Sequence, residues 1–349
     1  MKLLLLLAFW SAQGEFIKLE PVDESIPDTN RVALMGRGEF LAASTNSLYH
    51  WTRDGHLLRK ISFPGWLVTS FLYDGTYYLI CGYNTETRTF RSRLLDSNGN
   101  ELGFLDGADQ VSRYFLKVGG EWLGTRQIIT DLLYENPFPF LLQKVEYSFE
   151  DGQYNLRKFG YFGKLRPIHK ASNFNFRLMW AAKKDGIYYV VNQMEPLVFI
   201  YNEENREAER QDGTRVFTDT PSIHLSLKEY VPRPEKGFSL KKPMPSSEAF
   251  KLKIQFRFSW SRITWFQEFG KGFVIGYGIP NCSKGKCNSP LLGIQLLDKN
   301  MKPIGKHIKM AGDMLGANEG KLYVFQANRE KHENGSFGGM KPIVRVITP

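Results

Sequence analysis

The sequence predicts an all-β protein built from one repeated unit, and three observations lead to that fold class. Aromatic residues make up 14% of the 349 residues, glycine is frequent and no long helical periodicity is present, a composition that favours strands. A glycine turn followed by an apolar, aromatic-rich strand recurs at 38–41, 75–78, 120–123, 186–189, 272–274 and 320–323. Each such turn is followed by a second, polar hairpin. Strand repeats of roughly 40–50 residues are typical of propeller blades, because a single unit cannot bury both faces of its sheet. The sequence therefore predicts a six-bladed β-propeller that forms a single domain over residues 15–349.

Each blade is expected to hold four antiparallel strands, with the innermost strand along the central axis. The second blade shows this pattern most clearly. Its strands are predicted at 69–73, 77–83, 90–96 and 101–105, with turns at 74–75 and 97–100. The polar second hairpin returns at 51–61 and 296–306.

The two ends of the chain complement each other. The last blade lacks an outer strand, because the chain stops after the apolar stretch 343–347. Residues 16–20 form an unassigned strand pattern ahead of the first blade. Pairing of these two segments closes the ring and removes an exposed sheet edge.

A long excursion at about 212–256 interrupts the repeat. It is rich in proline and lysine, and such density of proline excludes regular sheet. Residues 246–253 are predicted to begin a short helix with a serine cap. The excursion either caps one mouth of the ring or is a surface loop. A seven-bladed ring is the alternative if it hides a degenerate blade.

The first 14 residues have the pattern of a secretory signal peptide. A basic start precedes a short leucine-rich run and small residues before Glu15, and the run is too short to span a bilayer. The sequence therefore predicts an exported protein, periplasmic or extracellular, without stable membrane insertion. The net charge of +10 is spread along the chain without a run of like charges, so no nucleic-acid partner is expected.

Cys282 and Cys287 lie in a polar turn between apolar segments. In an oxidising compartment they are predicted to form a disulfide that makes this loop rigid. No histidine is near them in sequence, which argues against a metal site. Cys81 follows an apolar stretch and is expected to be a packed strand residue.

The glycine turns and second hairpins, such as 94–104, resemble those of secreted bacterial six-bladed propellers of the NHL and TolB-like groups. The resemblance covers the mature chain and rests on short motifs. It implies a six-bladed ring used mostly as a binding scaffold, and it implies no particular ligand.

Six residues are candidates for a ligand site at the axis. Arg31, Arg113 and Asp313 lie nine residues before the first apolar residue of a second strand, and Trp66, Arg177 and Arg262 lie eleven residues before one. Both separations are odd, so these side chains share a strand face if the turns are equivalent. Arginine binds carboxylate or phosphate at two points and an aromatic ring offers a stacking surface. The alternative is that these arginines tie neighbouring blades together or face solvent.

These observations predict a monomeric, non-enzymatic binding or scaffolding protein without metal or cofactor. Its partner would be an anionic small molecule, an anionic glycan, a peptide or an unknown protein. The alternative is a hydrolase at the same axial pocket, either lactonase-like or a sialidase-like glycosidase. Glycoside cleavage requires a pair of carboxyl groups, and the sequence shows no obvious pair.

Overall fold

The computed structural model of this chain describes residues 15–22, 32–106, 114–125, 142–146, 149–150, 153–154, 157–162, 179–193, 195–202, 208–209, 215–216, 222–232, 234, 245–331 and 337–349. These residues form an all-β propeller, which confirms the predicted fold class at that level.

Five of its sheets are antiparallel blades of four strands. Sheet 1 contains β2 (Val32–Leu34), β3 (Phe40–Ala43), β4 (Ser47–Trp51) and β5 (Leu57–Ser62). Sheet 2 contains β6 (Trp66–Tyr73), β7 (Tyr78–Asn84), β8 (Phe90–Leu95) and β9 (Glu101–Asp106). Sheet 4 contains β16 (Met179–Lys184), β17 (Ile187–Asn192), β18 (Leu197–Asn202) and β21 (Ser222–His224). Sheet 5 contains β22 (Arg262–Phe269), β23 (Gly272–Ser283), β24 (Lys286–Leu297) and β25 (Pro303–Met310). Sheet 6 contains β26 (Asp313–Asn318), β27 (Lys321–Lys331), β28 (Phe337–Ile347) and β1 (Glu15–Lys18).

Sheet 3 differs from the regular blades because it has six strands. Their order is β10 (Tyr114–Val118), β11 (Glu121–Thr125), β12 (Leu142–Glu146), β15 (Arg157–Phe162), β20 (Arg215–Val216) and β19 (Ala208–Glu209). A separate ribbon pairs β13 (Phe149–Glu150) with β14 (Gln153–Tyr154). Thus the structure shows five regular blades rather than the six predicted.

The first strands of the sheets contact one another in chain order. We call β2, β6, β10, β16, β22 and β26 the inner strands. β6 contacts β10, β10 contacts β16, β16 contacts β22, β22 contacts β26, and β26 contacts β2. The series closes on sheet 1, where β3 contacts β6. The inner strands therefore surround a common axis.

Most of the glycine turns that follow the inner strands have positive φ, a backbone conformation that glycine adopts more easily than other residues. Five of the six repeat glycines have positive φ, namely Gly38 at 79°, Gly75 at 104°, Gly120 at 83°, Gly186 at 76° and Gly320 at 74°. In sheet 5 the pattern shifts: Gly272 begins β23 and Gly270 has the positive φ of 58°.

The N-terminal strand completes the last blade, as predicted. β1 pairs antiparallel with β28, with Ile17 opposite Val344. The chain then crosses to sheet 1, where the Glu20 N–H donates to the Gly55 carbonyl at 2.8 Å. The Trp51 indole N–H donates to the Glu20 carbonyl at 3.1 Å. The N-terminal segment thus joins sheet 6 to sheet 1.

The hydrophobic core lies between adjacent sheets. One cluster joins sheets 6 and 1 and includes Phe40 and Trp51, both fully buried. Further clusters join sheets 1 and 2, sheets 4 and 5, and sheets 5 and 6. Each fully buried large apolar side chain contributes about 1.5–3 kcal/mol, so this packing holds the ring together.

Helix α1 (Ser246–Phe258) is the described end of the predicted 212–256 insertion. The prediction of a helix is confirmed, but the serine cap is wrong: Pro245 takes the N-cap position and no side chain caps the helix. The helix is attached to the hairpin of β23 and β24, because the Gln255 side chain pairs with both the N–H (2.6 Å) and the carbonyl (2.9 Å) of Cys287. The predicted disulfide between Cys282 and Cys287 closes that hairpin. Most of the preceding proline- and lysine-rich segment lies outside the described residues.

No helix among the described residues has both the length and the apolar character needed to cross a membrane. The predicted signal peptide, residues 1–14, lies outside the described part of the chain.

Candidate functional site at the ring axis

A cavity of about 220 Å³ lies at the axis of the ring. Inner strands of five sheets line it, and most of the lining side chains are apolar. They include Val32, Leu34, Phe71, Trp180, Trp265 and Phe266. The described lining also contains Ser70, Tyr73 and Gln267 as polar side chains, and it contains no charged one.

Two tryptophans form one wall of the cavity. The rings of Trp180, on β16, and Trp265, on β22, have centroids 4.7 Å apart at an interplanar angle of 47°. The Trp265 indole N–H donates to the Gln267 side-chain oxygen at 3.2 Å. Gln267 in turn crosses to sheet 6, where its amide accepts from the Ala317 N–H (2.9 Å) and donates to the Ala317 carbonyl (2.8 Å). One amide side chain therefore fixes both the indole and the neighbouring inner strand.

The inner strands run in the same direction along the axis. Trp180 meets Trp265, and further along both strands the Lys184 ammonium meets the Glu268 carboxylate at 2.9 Å. β26 follows β22 in the same direction, since Gly316 faces Trp265 and Ala317 bonds Gln267.

The turns that follow β2, β6 and β10 also lie at the C-terminal ends of neighbouring inner strands, because Gly38 faces Asn318, Gly75 faces Arg37 and Gly119 faces Lys183. All inner strands therefore begin at the opposite end of the ring, which we call the N-terminal mouth.

Positive charge is concentrated and partly buried at the N-terminal mouth. Arg262 is the first residue of β22, and its guanidinium lies 5.9 Å from the Trp260 ring centroid. Burial, reinforced by the like charge of Arg257, lowers the pKa of Arg262 to about 9, and Asp313 opposes this shift. The guanidinium is therefore still charged at neutral pH. Such a group favours an additional anion.

The structure brings two of the six predicted site residues together. Arg262 and Asp313 are the first residues of β22 and β26, and they interact electrostatically. Arg31, Arg113 and Arg177 lie outside the described residues. Their role in ligand binding stays a prediction.

Trp66 begins β6, but its ring lies against the arginines of β8. The Arg93 guanidinium is 4.2 Å from the ring centroid and that of Arg91 is 5.4 Å away. Trp66 also packs against the core between sheets 1 and 2, and it does not line the axial cavity.

Sequence reasoning missed the residues that carry most of the site. Trp180 and Trp265 are ordinary aromatic residues of apolar strands and give no signal of a cavity. Arg257 lies in the last turn of α1, directly after the predicted insertion, and acts on Arg262 electrostatically. The one sequence signal for Arg257 is that it is a basic residue between two phenylalanines, Phe256 and Phe258.

A second polar cluster lies between sheets 1 and 2. The buried His50 ring bonds Tyr78 through Nδ1 (2.6 Å) and Glu39 through Nε2 (3.3 Å). Burial lowers the pKa of His50, although Glu39 opposes the shift, and burial raises the pKa of Tyr78 to about 12. A neutral His50 therefore donates from Nε2 to Glu39 and accepts from the Tyr78 hydroxyl. Because Tyr78 stacks on the cavity-lining Tyr73 at 4.4 Å, this cluster supports one side of the cavity.

No protein-family model and no curated protein matches the chain. The resemblance to the NHL and TolB-like groups therefore stays a prediction.

Three of the solved structures that match the chain illustrate how distant the similarity is. The computationally designed Ika8 protein has 9% identity and a TM-score of 0.38, with 96% of this chain and 100% of that chain covered. Hsv2 of Kluyvelomyces marxianus has 6% identity and a TM-score of 0.38, with coverage of 88% and 81%. The Dos1 propeller has 8% identity and a TM-score of 0.40, with coverage of 89% and 69%. Similarities this distant carry no functional argument, so the chain's own sheets and cavity define it as a β-propeller with an axial cavity.

Proposed function

We propose that this protein is an exported, monomeric six-bladed propeller that binds an anionic ligand at the N-terminal mouth of its axis. Sheet 3 counts as the sixth blade, because its first strand β10 occupies the interval between β6 and β16 in the series of inner-strand contacts. The disulfide supports a destination outside the cytosol.

The observation that carries the proposal is a buried, charged guanidinium, that of Arg262, which interacts with Arg257 and precedes the cavity-lining Trp265 by three residues on β22. Burial and Arg257 both disfavour the charged guanidinium. A carboxylate or phosphate at this mouth would offset both effects, since two guanidinium groups can hold one anion by charge-assisted hydrogen bonds. Asp313 favours the charged guanidinium and so opposes part of both effects.

A binding role is favoured over hydrolysis by the chemistry of the lining. Glycoside cleavage requires two carboxyl groups roughly 5–10 Å apart beside the substrate. The described cavity lining contains no carboxylate. The hydrolase alternative would therefore need carboxylates from the part of the chain outside the described residues.

A thermal-shift screen followed by calorimetry tests this function. Purified protein is screened against organic acids, sugar acids, nucleotides, acidic peptides and metal ions, because a ligand that binds the folded state raises the melting temperature. We expect anions to produce the shifts. Each active anion is then incubated with the protein and analysed for products, and turnover would favour the hydrolase alternative.

The matched variants are Arg262→Ala and Arg53→Ala. Charge-assisted hydrogen bonds contribute about 1.5–3 kcal/mol, so Arg262→Ala should weaken anion binding by roughly 10- to 150-fold. The Arg53 side chain is 70% exposed, and its removal should leave affinity unchanged. The predicted partners Arg113 and Arg177 are replaced by alanine in the same series. If no anion binds, or if Arg262→Ala binds as tightly as the parent protein, the proposal is wrong.

A further inference from the structure

The size of the axial cavity limits what can occupy it. Pockets for drug-sized ligands measure roughly 300–1,000 Å³, and this one measures about 220 Å³. A single small ring fits this volume, whereas a glycan or a peptide chain does not. The part of a ligand that enters the cavity is therefore a one-ring group.

The lining determines the polarity of that group. The wall formed by Trp180 and Trp265 offers aromatic surface, and the described lining carries no charge. A charged group placed inside would lose its hydration without compensation. Arg262 lies three residues before Trp265 on the same strand, so the two are separated by at most about 10 Å along β22. A ring within the cavity can thus carry a carboxylate that reaches the N-terminal mouth.

One residue of the lining, Trp180, has a buried polar atom without a partner among the described residues. Trp180 is only 6% exposed, and its indole N–H has no hydrogen-bond acceptor among the residues that the structure describes. The neighbouring Trp265 differs, since its N–H donates to Gln267. Buried donors in folded proteins are nearly always paired. A ligand with an acceptor on its ring would supply the partner that Trp180 lacks.

We propose that the axial cavity binds a planar, one-ring aromatic carboxylic acid whose ring bears a hydrogen-bond acceptor. The ring packs against Trp180 and Trp265, the acceptor receives the Trp180 N–H, and the carboxylate lies toward Arg262. This inference rests on the proposed function and narrows its anion to one chemical class.

Four probe compounds and one variant test the inference by calorimetry. 4-Hydroxybenzoate has the ring, the acceptor and the charge. 4-Methylbenzoate lacks the acceptor, trans-4-hydroxycyclohexanecarboxylate lacks the planar ring, and 4-hydroxybenzamide lacks the charge. The variant Trp180→Phe keeps an aromatic ring and removes the indole N–H.

We expect 4-hydroxybenzoate to bind tightest, with each of the other three compounds at least about tenfold weaker. In Trp180→Phe the preference for 4-hydroxybenzoate over 4-methylbenzoate should disappear, because the indole N–H that donates to the hydroxyl oxygen is no longer present. The variant should still bind 4-methylbenzoate, but more weakly than the parent protein does, because the smaller phenyl ring loses contact with the ligand ring. An unchanged far-UV circular dichroism spectrum shows that the variant is folded.

The possible failures separate this inference from the proposed function. If Trp180→Phe keeps the preference for the hydroxyl compound, or if the cyclohexane acid binds as tightly as the aromatic acid, the inference is overturned and the anion site stands. The inference is also overturned, and the anion site stands, if sugar acids or acidic peptides bind in a way that depends on Arg262 and no aromatic acid binds. If no anion of any class binds, both are overturned.

Discussion

Gly55 is a sensitive point of the ring closure, and replacing it by alanine should loosen the closure. The residue has φ of 93° in the turn between β4 and β5. A Cβ atom added there would overlap the carbonyl oxygen of Lys18 and would lie 3.2 Å from Cγ2 of Ile17. Gly120 is the matched control, because its φ is 83° and a Cβ atom there meets nothing within 4 Å.

The expected magnitudes follow from this difference. A left-handed backbone costs a non-glycine residue roughly 1–2 kcal/mol, and both variants bear that cost. In Gly55→Ala the N-terminal segment must also move away, which breaks the bonds of Glu20 with Gly55 and Trp51. At about 1 kcal/mol for each bond, the total loss is about 3–4 kcal/mol, against about 1–2 kcal/mol for Gly120→Ala.

Urea unfolding of the two variants and the parent protein measures these losses. Hydrogen exchange at residues 15–20 should increase in Gly55→Ala and stay unchanged in Gly120→Ala. Equal losses of stability, with unchanged exchange at the N-terminal strand, would refute the reasoning that this strand closes the ring against Gly55.

Three further predictions concern contacts between sheets, the pH response and the cysteines. Gln267→Ala removes the two hydrogen bonds to the backbone of sheet 6 and should lower the free energy of unfolding by about 2 kcal/mol. The control Gln326→Ala loses one exposed hydrogen bond and should lower it by less than about 1 kcal/mol. Equal urea midpoints for the two variants would contradict this prediction. His56 bonds Glu20 at 2.8 Å, so the pKa of His56 is raised above 6.5 and that of Glu20 is lowered below 4.5. The contact should therefore stabilise the N-terminal segment between these values and weaken as pH rises through the folded pKa of His56, and an NMR titration of His56 at or below 6.5 would refute it. Thiol titration of unfolded, unreduced protein should find one thiol, that of Cys81, and a count of three would exclude the disulfide.

The parts of the fold with local signals could be predicted from the sequence. The turn glycines stand out because few other residues tolerate positive φ, and the paired cysteines are only five positions apart. Ring closure was predictable for another reason. Two strand patterns at opposite ends of the chain each lacked a partner, and an unpaired edge is unfavourable.

The sequence could not show reliably whether the predicted site residues lie on the same face of their strands, because turn lengths differ between sheets. Residues 74–77 separate the paired Tyr73 and Tyr78, whereas only residues 270–271 separate Phe269 and Gly272. Counting back through turns assumed to be equivalent therefore does not align these residues reliably, and Trp66 packs against Arg91 and Arg93 rather than lining the cavity. Bulges in the inner strands shift the alternation of faces again.

Sheet 3 and the cavity depend on tertiary contacts that leave little trace in the sequence. β15 joins β20 through a single parallel pair, Tyr161 with Val216, and two-residue strands have no recognisable period. The cavity exists because inner strands from five sheets leave space between them. No single strand reveals such a space.

The central claim is that the axis of this ring is a binding site, and a crystal structure with a bound ligand tests it most directly. The protein would be crystallised with the anion that raises its melting temperature most. We predict ligand density at the N-terminal mouth, with its acidic group beside Arg262 and Arg257 and its remaining atoms directed toward Trp180 and Trp265. Density for the same compound elsewhere on the surface, with only water in the axial cavity, would contradict the account.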